Sequence, residues 1–278
     1  MQPATRNIEV CVLRCFVHTI LGVMLYALQC PAIHAADWGI NEIQFQYGNL
    51  ATPTFAGSGD AETMVFTFQH ASAWKYGTNF LFIDFYTDDK EDGFNDEDFY
   101  GEWYPTLSIP KILGQEDFRF GLIRDVRIIA GVNYGVDPKV RKYLPGIELS
   151  WELPGFAFLN TDFTAYLDDN AGIREGGAPK EDDSFMIDVN WAYPFRMGRA
   201  KFSIEGHIEY IGTRDNELGG ETTWWILGQP QIRCDIGDLL FNVPQHLFIG
   251  TEIQFWINKL GDSHTDEFVP QALLVWRF

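Results

Sequence analysis

The chain has 278 residues, 39 of them acidic and 20 basic, for a formal net charge of −19. That balance excludes an extended basic face for phosphate backbones or anionic headgroups, so no nucleic acid is expected as a partner. No apolar run of membrane-helix length follows residue 36, which excludes a helical membrane protein, while 15% of the residues are aromatic and no long stretch carries a 3.6-residue apolar period.

Residues 1–36 differ from the rest. Arg6 and Arg14 lead into the apolar run from Phe16 to Leu28, which ends near Ala32-Ile33-His34-Ala35-Ala36. A positive start, an apolar stretch that is short and closely followed by Pro31, and small residues at the exit read as a secretory signal peptide cleaved near Ala35 or Ala36. An anchor helix would need a longer run. A lipoprotein signal at Cys30 would need a small residue where Leu28 and Gln29 stand. The expected organisation is therefore a signal peptide over 1–36 and an exported domain over 37–278. Cys11, Cys15 and Cys30 leave with the signal, so the exported chain keeps Cys234 alone and forms no intramolecular disulfide. Cys234, between Arg233 and Asp235 in a predicted strand, reads as a packing or lipid-facing residue rather than a reactive thiol.

From residue 37 onward the apolar period is two. Ile147, Leu149 and Trp151 oppose Glu148, Ser150 and Glu152. Leu159, Phe163, Ala165 and Leu167 oppose Asn160, Asp162, Thr164 and Tyr166, and Phe185, Ile187, Val189, Trp191 and Tyr193 oppose Asp188, Asn190 and Ala192. The cleanest segment puts Phe202, Ile204, Gly206, Ile208 and Tyr210 on one face and Lys201, Ser203, Glu205, His207 and Glu209 on the other. Leu247 to Ile257 repeats that alternation. Twelve candidate strands are centred near residues 43, 66, 82, 103, 129, 148, 162, 189, 205, 228, 251 and 272. An even count puts both termini on one side of a membrane, as bacterial single-chain barrels require.

The connections alternate in kind. After odd-numbered strands they are longer, acidic and rich in Gly, Asn and Asp: Gly48 to Ala61, Thr87 to Glu97, Gly135 to Lys142, Asp168 to Asp183, Thr213 to Glu221 and Asn258 to Glu267. After even-numbered strands Leu153-Pro154-Gly155 and Arg196 to Arg199 are turn-like, whereas Ile109 to Phe118 and Ile236 to Gln245 are longer than the rule prefers. The last segment alternates Ala272, Leu274, Trp276 and Phe278 with Gln271, Leu273, Val275 and Arg277. A final strand ending on Phe278 resembles the signal read by the barrel-assembly machinery of the outer membrane, and a soluble β-sandwich has no reason to end so. Trp74, Tyr76, Trp103, Tyr104, Trp191, Tyr193, Trp224 and Trp225 lie near strand ends, where interface girdles want them. The expected fold is all-β: a 12-stranded antiparallel transmembrane β-barrel with short periplasmic turns and long acidic extracellular loops, located in the cell outer membrane among lipid and lipopolysaccharide.

The predicted inward face is acidic and aromatic. Its carboxylates are Asp84, Glu102, Glu148, Glu152, Asp162, Asp188, Glu205, Glu209 and Glu252, and its rings are Phe82, Tyr86, Tyr100, Tyr104, Tyr166 and Trp256. Basic counterparts are fewer, notably Arg127, Lys201 and Arg277. Two readings stand side by side. The charges pair into a network that fills the lumen, or carboxylates accept hydrogen bonds from sugar hydroxyls while rings stack on a planar base. On the second reading the candidate solute-binding residues are Phe82, Asp84, Tyr86, Tyr100, Glu102, Tyr104, Arg127, Glu148, Asp162, Tyr166, Asp188, Glu205, His207, Glu252 and Trp256, and excess negative charge repels phosphates.

The stretch Phe80-Leu81-Phe82-Ile83-Asp84-Phe85-Tyr86-Thr87-Asp88-Asp89, with Asp98-Phe99-Tyr100-Gly101-Glu102-Trp103-Tyr104-Pro105, resembles the third and fourth strands of the Tsx-like nucleoside-specific channel family. Val126 to Gly135 and Leu273 to Phe278 are similar in character. The resemblance implies a twelve-stranded outer-membrane channel for passive uptake of nucleosides, exploited in some members by phages and colicins. It supplies no residue-by-residue ligand set.

Other chemistry was weighed. Ser203, Glu205 and His207 share a face, but residues two apart on a strand are about 6.5–7 Å apart, too far for a nucleophile and its base. His70, His207, His246 and His264 show no metal-ligand spacing. Asp88, Asp92 and Gly93 sit at EF-hand positions, yet Lys90 and Phe99 occupy two ligand positions, leaving a hydrated acidic loop or a looser divalent-cation contact to lipopolysaccharide. Gly57-Ser58-Gly59 precedes no helix that would make it a phosphate cradle. Neither an enzyme, a cofactor nor a resident metal is expected. The alternative to a channel is a barrel with a filled lumen that acts as a surface adhesin or binding module through its acidic loops.

Overall fold

The structure, a computed structural model, describes residues 36–278 apart from residue 92. The predicted signal peptide lies outside the described residues except for Ala36, as does Asp92 of the acidic loop. Among the described residues no helix is long and apolar enough to cross a membrane. Twelve antiparallel strands form the barrel: β1 (Trp38–Ala51), β2 (Asp60–Trp74), β3 (Gly77–Asp88), β4 (Glu97–Ser108), β5 (Ile123–Gly135), β6 (Val140–Trp151), β7 (Phe158–Asp168), β8 (Ser184–Met197), β9 (Ala200–Ile211), β10 in two halves (Trp225–Gly228 and Gln231–Asp235), β11 (Leu247–Ile257) and β12 (Glu267–Arg277). Each pairs with its neighbours in sequence, and β12 returns to β1 with Glu42 opposite Arg277, so the sheet has no free edge.

The parity of each strand sets the two faces. On β1, Glu42, Gln44 and Gln46 are buried toward the lumen, whereas Ile43 and Tyr47 are exposed on the outside. The same outward parity exposes Phe66, Ile83, Trp103, Ile128, Ile147, Phe163, Phe185, Ile249, Leu274 and Trp276. A continuous apolar belt of this kind exceeds by far the patches that soluble monomers tolerate. With every strand hydrogen-bonded on both sides, the barrel meets the two demands of hydrocarbon, an apolar surface and paired backbone groups. It is a transmembrane barrel of the outer membrane. Cys234 shares the outward parity, opposite Phe202 and Ile249.

The break in β10 has a local cause. Pro230 supplies no backbone N–H, yet pairing resumes without slippage, with Gly228 opposite Ile208 and Gln231 opposite Glu205. Gly206 faces this point with φ 143°, and a side chain there would come 2.4 Å from the Gln229 carbonyl oxygen. A glycine is therefore required at the crossing.

With both termini on the periplasmic side, the connections depart from expectation in three places. The β4–β5 link carries a short helix, α1 (Ile109–Ile112), capped by the Ser108 hydroxyl on the Lys111 N–H. The β10–β11 link carries α2 (Ile236–Phe241), capped by Asp235 on the Asp238 N–H. These two periplasmic connections are small capped helices rather than short turns, because Ser-x-Pro and Asp-x-x-Asp supply helix starts. Conversely the β5–β6 connection, expected to be long, is the turn 136–139, since pairing continues from Gly135 to Val140. The girdle also needs correction. Tyr104 and Trp225 have inward parity, with Trp225 buried inside the barrel, while Trp224 lies outside and stacks on Tyr210 at 5.9 Å.

Two extracellular loops are latched. The Asp262 carboxylate accepts hydrogen bonds from the N–H and hydroxyl of Thr54, the hydroxyl of Thr265 and the N–H of His264, at 2.6 to 3.0 Å. Partial burial opposes the charge, but these four donors outweigh it and hold the carboxyl well below its ordinary range. A depressed folded-state pKa contributes stability that is present above the unfolded value and is lost as pH falls through the folded one. Hydrogen exchange should therefore find the Thr54 and His264 amides protected at neutral pH and still at pH ~4, the unfolded carboxyl value, with release only in stronger acid. In Asp262→Ala both amides should exchange freely at neutral pH.

Candidate functional site

The lumen holds two chambers. The outer one, of about 1260 Å³, is roofed by loop residues such as Phe55, Phe94, Ile173 and Leu218 and walled below by Tyr86, Tyr100, Tyr166, Trp225 and Trp256. The inner one, of about 640 Å³, is lined by Gln44, Tyr104, Arg127, Glu148, Asp162, Asp188, Glu205 and Glu252. They share Phe82, Asp84, Glu102, His207, Glu209 and Gln229, which form a waist between them. Every candidate solute-binding residue named from the sequence lines one chamber or the other. Glu152 does not: it lies past the end of β6 and pairs with Arg119. Lys201, at the start of β9, pairs with Asp238 of α2 at 2.9 Å.

Charge is distributed unevenly along the barrel axis. Toward the loops, Lys142 pairs with Asp168 and Glu181, Arg214 with Glu181 at 2.8 Å, and Lys259 with Glu267 at 2.6 Å. The Arg214 guanidinium carbon lies 4.3 Å from the centre of the Trp225 ring and 5.2 Å from that of Tyr166, over both rings. Toward the periplasm, Arg127 bridges Asp125 and Glu148. Arg233 and Arg277 both reach Glu42, at 3.0 and 2.6 Å. Between these two paired zones the waist carries Asp84, Glu102 and Glu209, with Asp188 and Glu252 just inside. The basic group among them is His207, whose Nδ1 and Nε2 lie 2.9 Å from Asp188 Oδ1 and 3.0 Å from Gln229 Oε1.

Hydroxyls and amides hold the waist carboxylates in place. Asp84 accepts from Thr67 at 2.6 Å and Tyr86 at 3.0 Å. Glu102 accepts from Tyr100 at 2.6 Å and Asn133 at 2.8 Å, and Tyr104 donates to Asn133 in turn. Glu252 accepts from Gln231 and Gln271. Beside them lies an apolar cluster of Leu144, Tyr166, Met186, Ile211 and Trp225, against which Tyr104 and Trp256 pack, and the Trp225 indole N–H donates to Glu209 at 3.4 Å. The lumen wall at the waist thus carries ordered carboxylates together with aromatic side chains. The two ends of the lumen carry paired charge, and the waist carries carboxylates held by hydroxyl and amide donors.

Several lumen residues escaped the sequence reading. Gln44 and Gln46 were available from the alternation with Ile43, Phe45 and Tyr47. Lys142 was available had β6 been extended back to Val140. Arg214 carried no signal, because it belongs to a two-residue ladder with Glu221–Thr222 in the β9–β10 loop that places it over the mouth. Ser203, Glu205 and His207 do not form a nucleophile–base relay, since Ser203 donates to Glu205 at 2.6 Å and His207 engages Asp188 and Gln229. Among the described residues no group of three His, Cys, Asp or Glu side chains is placed to hold a metal ion.

The chain matches no protein-family model, and no curated protein is similar to it in sequence. Among solved structures it is similar to a KdgM porin, with 8% identity and a TM-score of 0.44 over 85% of this chain and 99% of that one. It is also similar to an outer-membrane channel from Pseudomonas putida F1, with 8% identity and a TM-score of 0.46 over 90% of this chain and 100% of that one. What the barrel can pass has to be read from its own lumen.

Proposed function

We propose that the protein is a passive outer-membrane channel for small solutes that carry no net negative charge, and that nucleosides are among them. The observation that carries this reading is the pair of chambers meeting at a waist of ordered carboxylates and aromatic faces. Twelve strands give a bore between that of a side-chain-filled eight-stranded barrel and that of a general porin. Carboxylate oxygens held by Thr67, Tyr86, Tyr100 and Asn133 are oriented acceptors for hydroxyl donors. Tyr104 and Trp256, partly exposed to the lumen, offer ring surface to a planar base, and excess carboxylate disfavours phosphorylated forms. The resemblance of the β3–β4 sequence to nucleoside channels points the same way.

Reconstitution tests the reading. In planar bilayers or swelling liposomes, adenosine or thymidine should permeate faster than a sugar of similar size or block the ion current, and the corresponding nucleoside monophosphates should do neither. Current unaffected by nucleosides, with no faster permeation than the sugar, rejects the nucleoside preference. Absence of any conductance rejects the channel.

A further inference from the structure

Beyond passage of neutral solutes, we propose that the wall of the inner chamber is a binding station for a small organic cation bearing a guanidinium or ammonium group, centred on Asp162. The strand register builds it. Arg127, Glu148, Asp162, Asp188 and Glu209 are directly opposite one another in succession across β5, β6, β7, β8 and β9. Directly opposed residues on antiparallel strands stand about 4.5–5.5 Å apart, where like charges repel. Four adjacent carboxylates in this row meet two basic groups: Arg127 on Glu148 and His207 on Asp188. Asp162, between Glu148 and Asp188, meets neither of the two. Its Oδ2 accepts a neutral amide N–H from Asn190 at 3.3 Å, and the same amide nitrogen serves Asp188 Oδ2 at 3.0 Å.

A second observation points to a ligand. Asp162 is 5% exposed. Yet Asp162 Oδ1, in the wall of the inner chamber, has no hydrogen-bond partner among the described residues. Buried acceptors without donors are uncommon because each forfeits its hydration. One such oxygen in the chamber wall, within a row of like charges, asks for a donor-rich cation. The neighbouring strand pair displays the form such a cation would take. Arg127 spans Asp125 and Glu148 with its guanidinium, and one register step along, Asp162 and Asp188 present the carboxylates without that cation. Since among the described residues no three His, Cys, Asp or Glu side chains converge for a bare metal ion, a planar fork of N–H donors is the better match.

The test uses methylguanidinium and its uncharged isostere methylurea, titrated calorimetrically into the detergent-solubilised barrel. Methylguanidinium should bind and methylurea should not. Asp162→Asn should weaken binding about tenfold, in line with loss of one charge-assisted pair, and Glu209→Gln, at the end of the row, should weaken it less. The native mobility of the unheated barrel on a denaturing gel confirms that each variant is folded. Equal heats for the two probes, or undiminished binding in a folded Asp162→Asn barrel, would overturn the inference. A barrel that binds methylguanidinium but passes no current leaves this station standing and removes the channel reading. One that conducts without binding the cation does the reverse.

Discussion

Replacing Glu42 by alanine should destabilise the barrel by about 3–5 kcal/mol, the range for stripping one partner from a buried ion pair, read as a lowered midpoint in urea unfolding from lipid vesicles. Glu42 is 1% exposed and joins the two ends of the sheet. Arg233 of β10 donates to both of its oxygens, at 3.2 and 3.0 Å, Arg277 of β12 donates at 2.6 Å, and Gln44 adds an amide at 3.0 Å. Truncation leaves Arg233, itself buried, with the more distant Glu205 as its remaining anion, at 3.4 Å. The double replacement of Glu42 by Ala and Arg233 by Met should be less damaging than the two single losses combined, because it removes the orphaned charge along with its partner. An unfolding midpoint unchanged by Glu42→Ala would show that water in the lumen screens the triad.

The second large effect is on the outside. Ile147, between Ile128 and Phe163 on adjacent strands, is 46% exposed on the outward face near the middle of β6. Ile147→Arg should cost about 2–4 kcal/mol in vesicles, whereas Phe268→Arg, at the loop end of β12, should cost about 0–1 kcal/mol. The depth dependence is the diagnostic feature, since a solvent-facing sheet surface would accept arginine equally at both places. Equal tolerance at the two positions would remove residue 147 from the hydrocarbon.

How much of this was legible beforehand depends on the length scale of the interaction. The period-two alternation of Phe202, Ile204 and Ile208 against Ser203, Glu205 and His207 is a property of the extended backbone alone, so it assigned faces correctly wherever pairing was regular. It failed where the chain left a straight strand. Trp225 was placed at an interface girdle from its position near a strand end, but parity turns it inward, and near the Gln229–Pro230 break the alternation of β10 is hard to phase; Tyr104, counted both in the girdle and on the inward face, faces the lumen. The helices α1 and α2 were missed because four to six residues carry too few turns for an apolar period, though their caps, Ser108 and Asp235, were present in the sequence. The hairpin that carries Arg214 to the mouth consists of two paired residues on each side, below the length at which any periodicity exists.

The residues themselves determined that this chain alternates oily and polar faces over twelve segments, that the inward face is acidic and aromatic, and that basic residues are too few to neutralise it. Backbone geometry and composition suffice for those conclusions. Only the tertiary structure decided where the charges meet. The stagger between strands sets which inward residues face one another. That stagger makes Arg127, Glu148, Asp162, Asp188 and Glu209 a single row, brings Glu42 to Arg233 from strands far apart in sequence, and leaves His207 among the waist carboxylates. Register is a property of pairs of strands, set by cross-strand packing and barrel closure, and no single segment contains it.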